Sequence, residues 1–362
     1  MKKLLVLATS LALLVAACGG AATPPAATGT AAGASPAPAA QGCGPKGSGS
    51  LTILGTPQEE YIQGITKAFE AECGIKTTYV RLSSGEALAK LRADKASPQF
   101  SVWWGGPADG FIAANKESLL EPYQPKGSDK IPSQYKDPTG VWTGIYVGAL
   151  GVALNTKVLK DKNLPEPTSW ADLVKPAYKG QISIAHPASS GTSYTFVATQ
   201  AFLNNKDLTK TFAYLAEFHK NVLQYQKTGA APARQAGQGE VAIGIVFSHD
   251  IVAAIEEGFK DLKIMFPSEG TGYEIGGMAL VKGAPDPVAG KTFMDWAITV
   301  KAQEMGPQFK AYQIPTNPDA KVSDKAVKLS AVKAVTYDFQ WAGDNKKAIV
   351  DRFSNEVAPQ PK

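Results

Sequence analysis

The chain has 362 residues, 44% of them hydrophobic, and carries 37 basic against 32 acidic side chains for a formal net charge of +5. That length exceeds the usual size of a single core, so two lobes are expected, and so small a charge excess argues against a nucleic-acid binder. Three cysteines without any zinc-type spacing leave lipid and disulfide chemistry as their candidate uses.

The N-terminus reads as an export signal. Lys2 and Lys3 precede the apolar stretch Leu4–Ala17, which is too short to span a bilayer well. Val15-Ala-Ala-Cys18 matches a bacterial lipobox, so residues 1–17 read as a lipoprotein signal peptide and Cys18 as the lipidated residue. The alternative is an ordinary signal whose cleavage site precedes a cysteine. Residues 18–50 are almost wholly Ala, Gly, Pro, Thr and Ser, too poor in large apolar groups to offset their ordering entropy, and so read as a disordered tether. With Cys18 acylated, Cys43 and Cys73 remain as an even pair, a candidate disulfide or two free thiols.

From Leu51 strand and helix patterns alternate. Leu51–Leu54, Lys76–Leu82 and Phe100–Trp104 read as strands. Between and after them come helices beginning with the capping-box pattern Thr56-Pro57-Gln58-Glu59, at Glu86–Asp94 and from Asp109. A second series follows: a short helix Ser169–Val174, a strand Gln181–Ala185, helices at 194–203 and 208–225, a strand Val241–Phe247 and a helix Asp250–Glu257. Two long Gly-rich β segments, Tyr146–Leu154 and Gly272–Val281, are suited to cross between the series, and a helix near 287–305 returns to the first. The expected fold is α/β in two lobes, with 51–147 plus 276–355 in the first and 148–275 in the second. Each lobe is a mostly parallel sheet flanked by helices. Ligands of such sheets bind beyond the C-terminal strand ends, so two facing lobes make a closing cleft.

His186-Pro-Ala-Ser-Ser-Gly-Thr-Ser193 joins a strand to a helix. Its backbone N–H groups, its hydroxyls and the helix dipole make Ser189, Ser190, Gly191 and Thr192 a candidate anion site; they would otherwise serve only to cap the helix. Ser83-Ser84-Gly85 is a second small loop before a helix and a weaker candidate of the same kind.

Pro167-Thr-Ser-Trp-Ala-Asp-Leu-Val174 followed by Pro176-Ala-Tyr-Lys-Gly-Gln-Ile182, with Val102-Trp-Trp-Gly-Gly-Pro107 and Ile314-Pro-Thr-Asn-Pro318, resembles the substrate-binding proteins of bacterial ABC importers. The resemblance spans about residues 51–355 and is nearest to the cluster of ferric-iron, phosphonate, phosphoglycerate and hexose-phosphate binders, whose fold is the type II periplasmic-binding-protein fold. In the hexose-phosphate branch a His-Asp pair meets sugar hydroxyls. That implies such a role for His249 and Asp250, with Glu274 near the ligand and the Ser-Ser-Gly-Thr loop on the phosphate. The iron branch resembles transferrin lobes in using adjacent tyrosines where this chain has Ser248-His249-Asp250, and no Tyr-Tyr pair occurs in the sequence. A hard ferric ion wants phenolate and carboxylate oxygens.

Each residue also has a plain alternative. His249 and Asp250 would begin the next helix, Glu274 would be a hinge salt-bridge partner, Thr56 would cap a helix, and Trp104 would pack in the core where a rim position would let it stack on ligand.

Catalytic motifs are lacking: there is no Gly-x-Ser-x-Gly, Gly-x-x-x-x-Gly-Lys or His-Glu-x-x-His. Ser133-Gln-Tyr-Lys136 stands in a Pro-flanked loop without a Lys-Thr-Gly companion, and Gly237-Gln-Gly239 precedes a strand where a dinucleotide fingerprint follows one. The expectation is therefore a monomeric carrier, not an enzyme, with no cofactor and no metal. It would bind a small anionic solute, with a sugar phosphate favoured, ferric iron or a phosphonate as alternatives, and a secreted phosphatase as a distant one. Its partners would be an ABC permease and a separate ATPase. It would be exported, meeting the membrane only through its lipid anchor, on the outer face of the cytoplasmic membrane or in the periplasm.

Overall fold

The computed structural model describes residues 42–360. The signal peptide, Cys18 and the tether up to residue 41 lie outside the described residues. Cys43 and Cys73 lie within them and are joined by a disulfide, with their Cα atoms 5.3 Å apart.

The first lobe begins with β1 (Ser50–Gly55), α1 (Glu59–Cys73), β2 (Lys76–Arg81), α2 (Ser84–Ala93), β3 (Val102–Pro107) and α3 (Ala108–Lys116). β1 lies between β2 and β3, parallel to both. Strand side chains alternate between the two faces of the sheet. Leu51, Ile53 and Val102 therefore pack on Ile62, Ile65 and Phe69 of α1. Leu54 and Trp103 pack on Leu88, Leu91 and Phe111 of α2 and α3 on the other face. Gly74 stops α1 with φ 65°, the left-handed conformation that a residue without Cβ adopts at no steric cost.

The chain then runs through β4 (Leu120–Glu121) into β5 (Thr143–Asn155), thirteen residues, all buried. The second lobe follows as α4 (Thr156–Asp161), β6 (Ile182–Ala185), α5 (Gly191–Leu203), α6 (Leu208–His219), β7 (Val222–Gln226), α7 (Ala231–Gln238), β8 (Ile243–Phe247), α8 (Ser248–Glu256) and β9 (Leu262–Met265). β10 (Tyr273–Val281) crosses back, and α9 (Pro287–Ala297), α10 (Val300–Gln303), β11 (Ile314–Pro315) and α11 (Phe339–Glu356) complete the chain. The strand order is β2-β1-β3-β10-β5-β8-β6-β7, with β4 on β10 and with β9 and β11 on β5. β10 and β5 pair antiparallel, Glu274 opposite Gly148 and Ile275 opposite Val147, and carry the sheet from one lobe to the other. No helix among the described residues is long and apolar enough to cross a membrane.

Four local expectations are corrected. Thr56 is not the cap of α1: the helix starts at Glu59 behind Gln58, and the Thr56 N–H donates to the Trp104 carbonyl. The helix expected at 208–225 ends at His219, and Val222–Gln226 is a strand that pairs parallel with β6. The return helix at 287–305 breaks at Thr299, whose hydroxyl accepts from the Ala302 N–H and caps a new helix. Residues 169–174 reach only one tight turn, 171–174. The C-terminal helix α11, placed by chain order in the first lobe, buries Ala342, Ile349 and Phe353 in the apolar cluster of the second and also packs along α3.

Candidate functional site

The C-terminal ends of β1, β2, β3, β6 and β8 converge on one cavity lined by Thr56, Arg81, Ser83, Ser84, Tyr146, Ser190, Thr192, His249, Asp250, Glu274 and Gln313, among others. One side of it is a cluster of hydroxyls. A Cβ added at Gly106 would lie 2.6 Å from Ser84 Oγ and 3.0 Å from Thr56 Oγ1. One added at Gly229 would lie 2.1 Å from Thr192 Oγ1 and 2.9 Å from Ser190 Oγ. The glycines thus leave room for hydroxyls from both lobes to face the same space. α5 starts at Gly191, with Ser190 as a cap residue that makes no side-chain cap bond, so the first-turn N–H groups of Gly191, Thr192 and Ser193 are left without a side-chain cap at the end of the helix where Ser190 and Thr192 line the cavity.

Arg81 is the cation of the set. It is the last residue of β2, and its Nε donates to the Pro57 carbonyl at 3.1 Å, which fixes the guanidinium at the cavity wall and leaves its terminal nitrogens over. Hydroxyls, helix-start N–H groups and a guanidinium together are what a phosphate dianion requires.

The opposite side is acidic and buried. His249 and Asp250 open α8, and Glu274 stands on β10. His249 Nε2 lies 3.7 Å from Glu274 Oε1 and 3.9 Å from Asp250 Oδ2. The imidazole stacks on Phe247 and fits against Gly148, where a Cβ would come within 2.6 Å of Nδ1. Burial lowers the His249 pKa, against the smaller upward pull of Asp250. Burial, and then the nearby Asp250 and Asp109, push the Glu274 carboxyl well above its usual range. A protonated Glu274 donates where an ionised one only accepts. Asp250 Oδ1 accepts from Gln58 Nε2 at 2.7 Å, a bond between the lobes. The Tyr146 hydroxyl accepts from the Gly106 N–H at 3.1 Å, and burial raises its pKa well above the usual value.

The cavity thus brings together Thr56, Ser190, Thr192, His249, Asp250 and Glu274 of the residues read from the sequence, with Gly191 beside it. Two expectations are corrected. Ser189 turns its hydroxyl to the His186 carbonyl, and its own carbonyl accepts from the Gly85 N–H at 2.9 Å, so it ties the lobes together and does not face the cavity. Trp104 is buried in the apolar cluster on α1, edge-on to Tyr61, because its position on β3 points to that face. Arg81, Tyr146, Gln58 and Gln313 were not singled out. Arg81 could have been found from its place at the C-terminal end of a parallel strand. Gln58 follows Thr56 just beyond the end of β1, while Tyr146 and Gln313 reach the cavity through long-range packing. Among the described residues, no group of three or more His, Cys, Asp or Glu side chains is arranged to hold a metal ion.

A family model described as bacterial extracellular solute-binding protein matches residues 64–334. The structure of the periplasmic binding protein AfuA from Actinobacillus pleuropneumoniae, with exogenous fructose-6-phosphate bound, superposes with a TM-score of 0.82 at 37% identity, covering 85% of this chain and 98% of that one. The periplasmic binding protein P5PA gives 0.80 at 29% identity, covering 85% and 99%. An uncharacterized protein of Haemophilus influenzae is 36% identical over 317 residues, 85% of this chain and 91% of its own. The chain belongs to the bacterial extracellular solute-binding proteins, carriers rather than enzymes, which bind a small solute as components of ABC importers.

Proposed function

We propose that this protein captures a sugar phosphate in the cavity and delivers it to an ABC permease. The observation that carries the reading is the division of the cavity: hydroxyls, helix-start N–H groups and Arg81 at one side, His249, Asp250 and Glu274 at the other. The first set suits phosphate oxygens, and the second suits the donating and accepting hydroxyls of a sugar. That AfuA holds fructose-6-phosphate adds support. Capture closes the lobes, and the permease, driven by its own ATPase, receives the closed form. Cys18 carries the lipid that holds a monomeric body, through its tether, at the outer face of the cytoplasmic membrane.

The test is calorimetric titration of the purified protein with glucose 6-phosphate, fructose 6-phosphate, inorganic phosphate, aminoethylphosphonate and ferric citrate. The expected result is selective micromolar or tighter binding of a hexose phosphate. Ser190→Ala with Thr192→Ala is expected to weaken it about tenfold or more, since two charge-assisted hydrogen bonds are lost. Asp250→Ala is expected to weaken hexose phosphate far more than inorganic phosphate. Binding of ferric citrate alone, or equal losses for both ligands in Asp250→Ala, contradicts the reading.

A further inference from the structure

Beyond the Gln58–Asp250 hydrogen bond lies a second, larger chamber. It is lined by Glu60, Gln308, Phe309 and Lys310 of the first lobe and by Ala253, Ala254, Arg234 and Glu257 of the second. Gln58, Ala230 and Asp250 line both spaces, so the 2.7 Å bond between Gln58 Nε2 and Asp250 Oδ1 is part of the partition between them. The outer chamber offers about 180 Å³ and the inner cavity about 50 Å³. An apolar cavity of about 150 Å³ is known to hold a benzene-sized ring, so the outer chamber has room for a six-membered ring.

The lining says what kind of ring. Arg234 is committed to Glu257 through two bonds, at 2.7 and 3.0 Å. Glu60 and Lys310 are of opposite sign, so no surplus cation is left for a second phosphate. Phe309 and the three alanines form an apolar wall, while Gln58, Glu60, Gln308 and Lys310 offer donors and acceptors. A neutral group with an apolar face and peripheral hydroxyls matches both parts, as a sugar ring does.

We propose that the outer chamber receives a glycosyl substituent on the captured sugar phosphate, which extends the ligand class to disaccharide monophosphates. This rests on the sugar-phosphate reading of the inner cavity. The substituent leaves past Asp250, replaces the Gln58 amide as that carboxylate's partner, and lays its ring against Phe309. Hexose phosphates bind with the inner cavity widened, since about 50 Å³ is less than a ring takes, and their glycosides also part the Gln58–Asp250 bond to enter the outer chamber.

The experiment is titration of glucose 6-phosphate and trehalose 6-phosphate into the purified protein and into Ala253→Trp. Ala253 is half-buried and lines only the outer chamber. The protein is expected to bind trehalose 6-phosphate within about threefold of glucose 6-phosphate, or tighter. In Ala253→Trp, glucose 6-phosphate stays within about twofold, while trehalose 6-phosphate weakens about tenfold or more because the indole fills the ring's place. Should the tryptophan variant bind neither ligand, Phe309→Leu takes its place, with a selective loss for trehalose 6-phosphate expected and equal losses counting against the proposal. Binding of glucose 6-phosphate with exclusion of trehalose 6-phosphate overturns the proposal and leaves the inner-cavity reading intact. So does trehalose 6-phosphate binding that Ala253→Trp does not weaken. If the unaltered protein binds neither compound, the sugar-phosphate reading fails, and the outer chamber loses its ligand with it.

Discussion

Glu274 pulls stability and binding in opposite directions. Its carboxyl is fully enclosed on β10, and its pKa is raised by burial first and by the charges of Asp250 and Asp109 second. A carboxyl whose folded pKa lies above its unfolded value of about 4.5 binds more protons folded than unfolded. Its contribution is therefore intact below that pH and is lost as pH rises toward the folded pKa. Glu274→Gln is accordingly expected to raise the melting temperature, more at pH 8 than at pH 5, while weakening the sugar phosphate. Melting curves across pH beside calorimetry check both halves, and a pH-independent gain contradicts the buried-acid account. His186 carries the opposite sign. Its Nε2 meets the Ala358 carbonyl, its Nδ1 accepts from the Ala188 N–H, and burial lowers its pKa, so it favours the folded state less as pH falls below 6.5.

At the scale of elements, α3, α5 and α11 meet around a buried ion pair. Lys346 Nζ lies 2.7 Å from Asp109 Oδ1 and 3.6 Å from the centroid of the Tyr194 ring, whose hydroxyl donates to the Ala342 carbonyl. The helices approach closely, since a Cβ at Gly343 would lie 2.5 Å from Ile112. Removing one partner strands a buried charge, so Asp109→Ala is expected to cost about 3–5 kcal/mol in chemical denaturation. Adding Lys346→Met should recover most of the loss; equal losses in the single and double variants would show that the pairing is not the cause. This helix junction was not legible in the sequence, because Asp109 and Lys346 are 237 residues apart. β5 and β10 were legible, because their glycines record close packing: a Cβ at Gly276 would strike the Tyr146 ring at 2.0 Å. β7 was missed because the helical pattern of α6 runs into it with no Gly or Pro to mark the end, and what ends the helix is tertiary: Asn221 donates to the Leu173 and Lys175 carbonyls. The hydroxyl loop was read correctly as the start of a helix because that signal is local. Tyr146 takes its role from strand order, which a local pattern does not carry, whereas Arg81 ends a strand that the pattern does mark.

At the scale of the whole molecule, polar contacts bridge the cleft between the lobes. Gln58 bonds Asp250, the Gly85 N–H bonds the Ser189 carbonyl, and Lys325 pairs with Glu256 across the cleft. Among the described residues, β5 and β10 run through both lobes and α11 packs against α3 and α5. On the proposed function, closure is an equilibrium that ligand biases. Lys325→Ala is expected to enlarge the radius of gyration of the ligand-free protein in solution scattering and to weaken ligand binding severalfold, with saturating ligand restoring the compact value. An unchanged radius would mean that Lys325 does not help to hold the lobes shut. The Cys43–Cys73 bridge has a mechanical consequence. It clamps the chain upstream of the body to the end of α1, so a load arriving along the backbone from before Cys43 enters the first lobe at that helix and bypasses residues 44–72. Neither β5 nor β10 lies on that path.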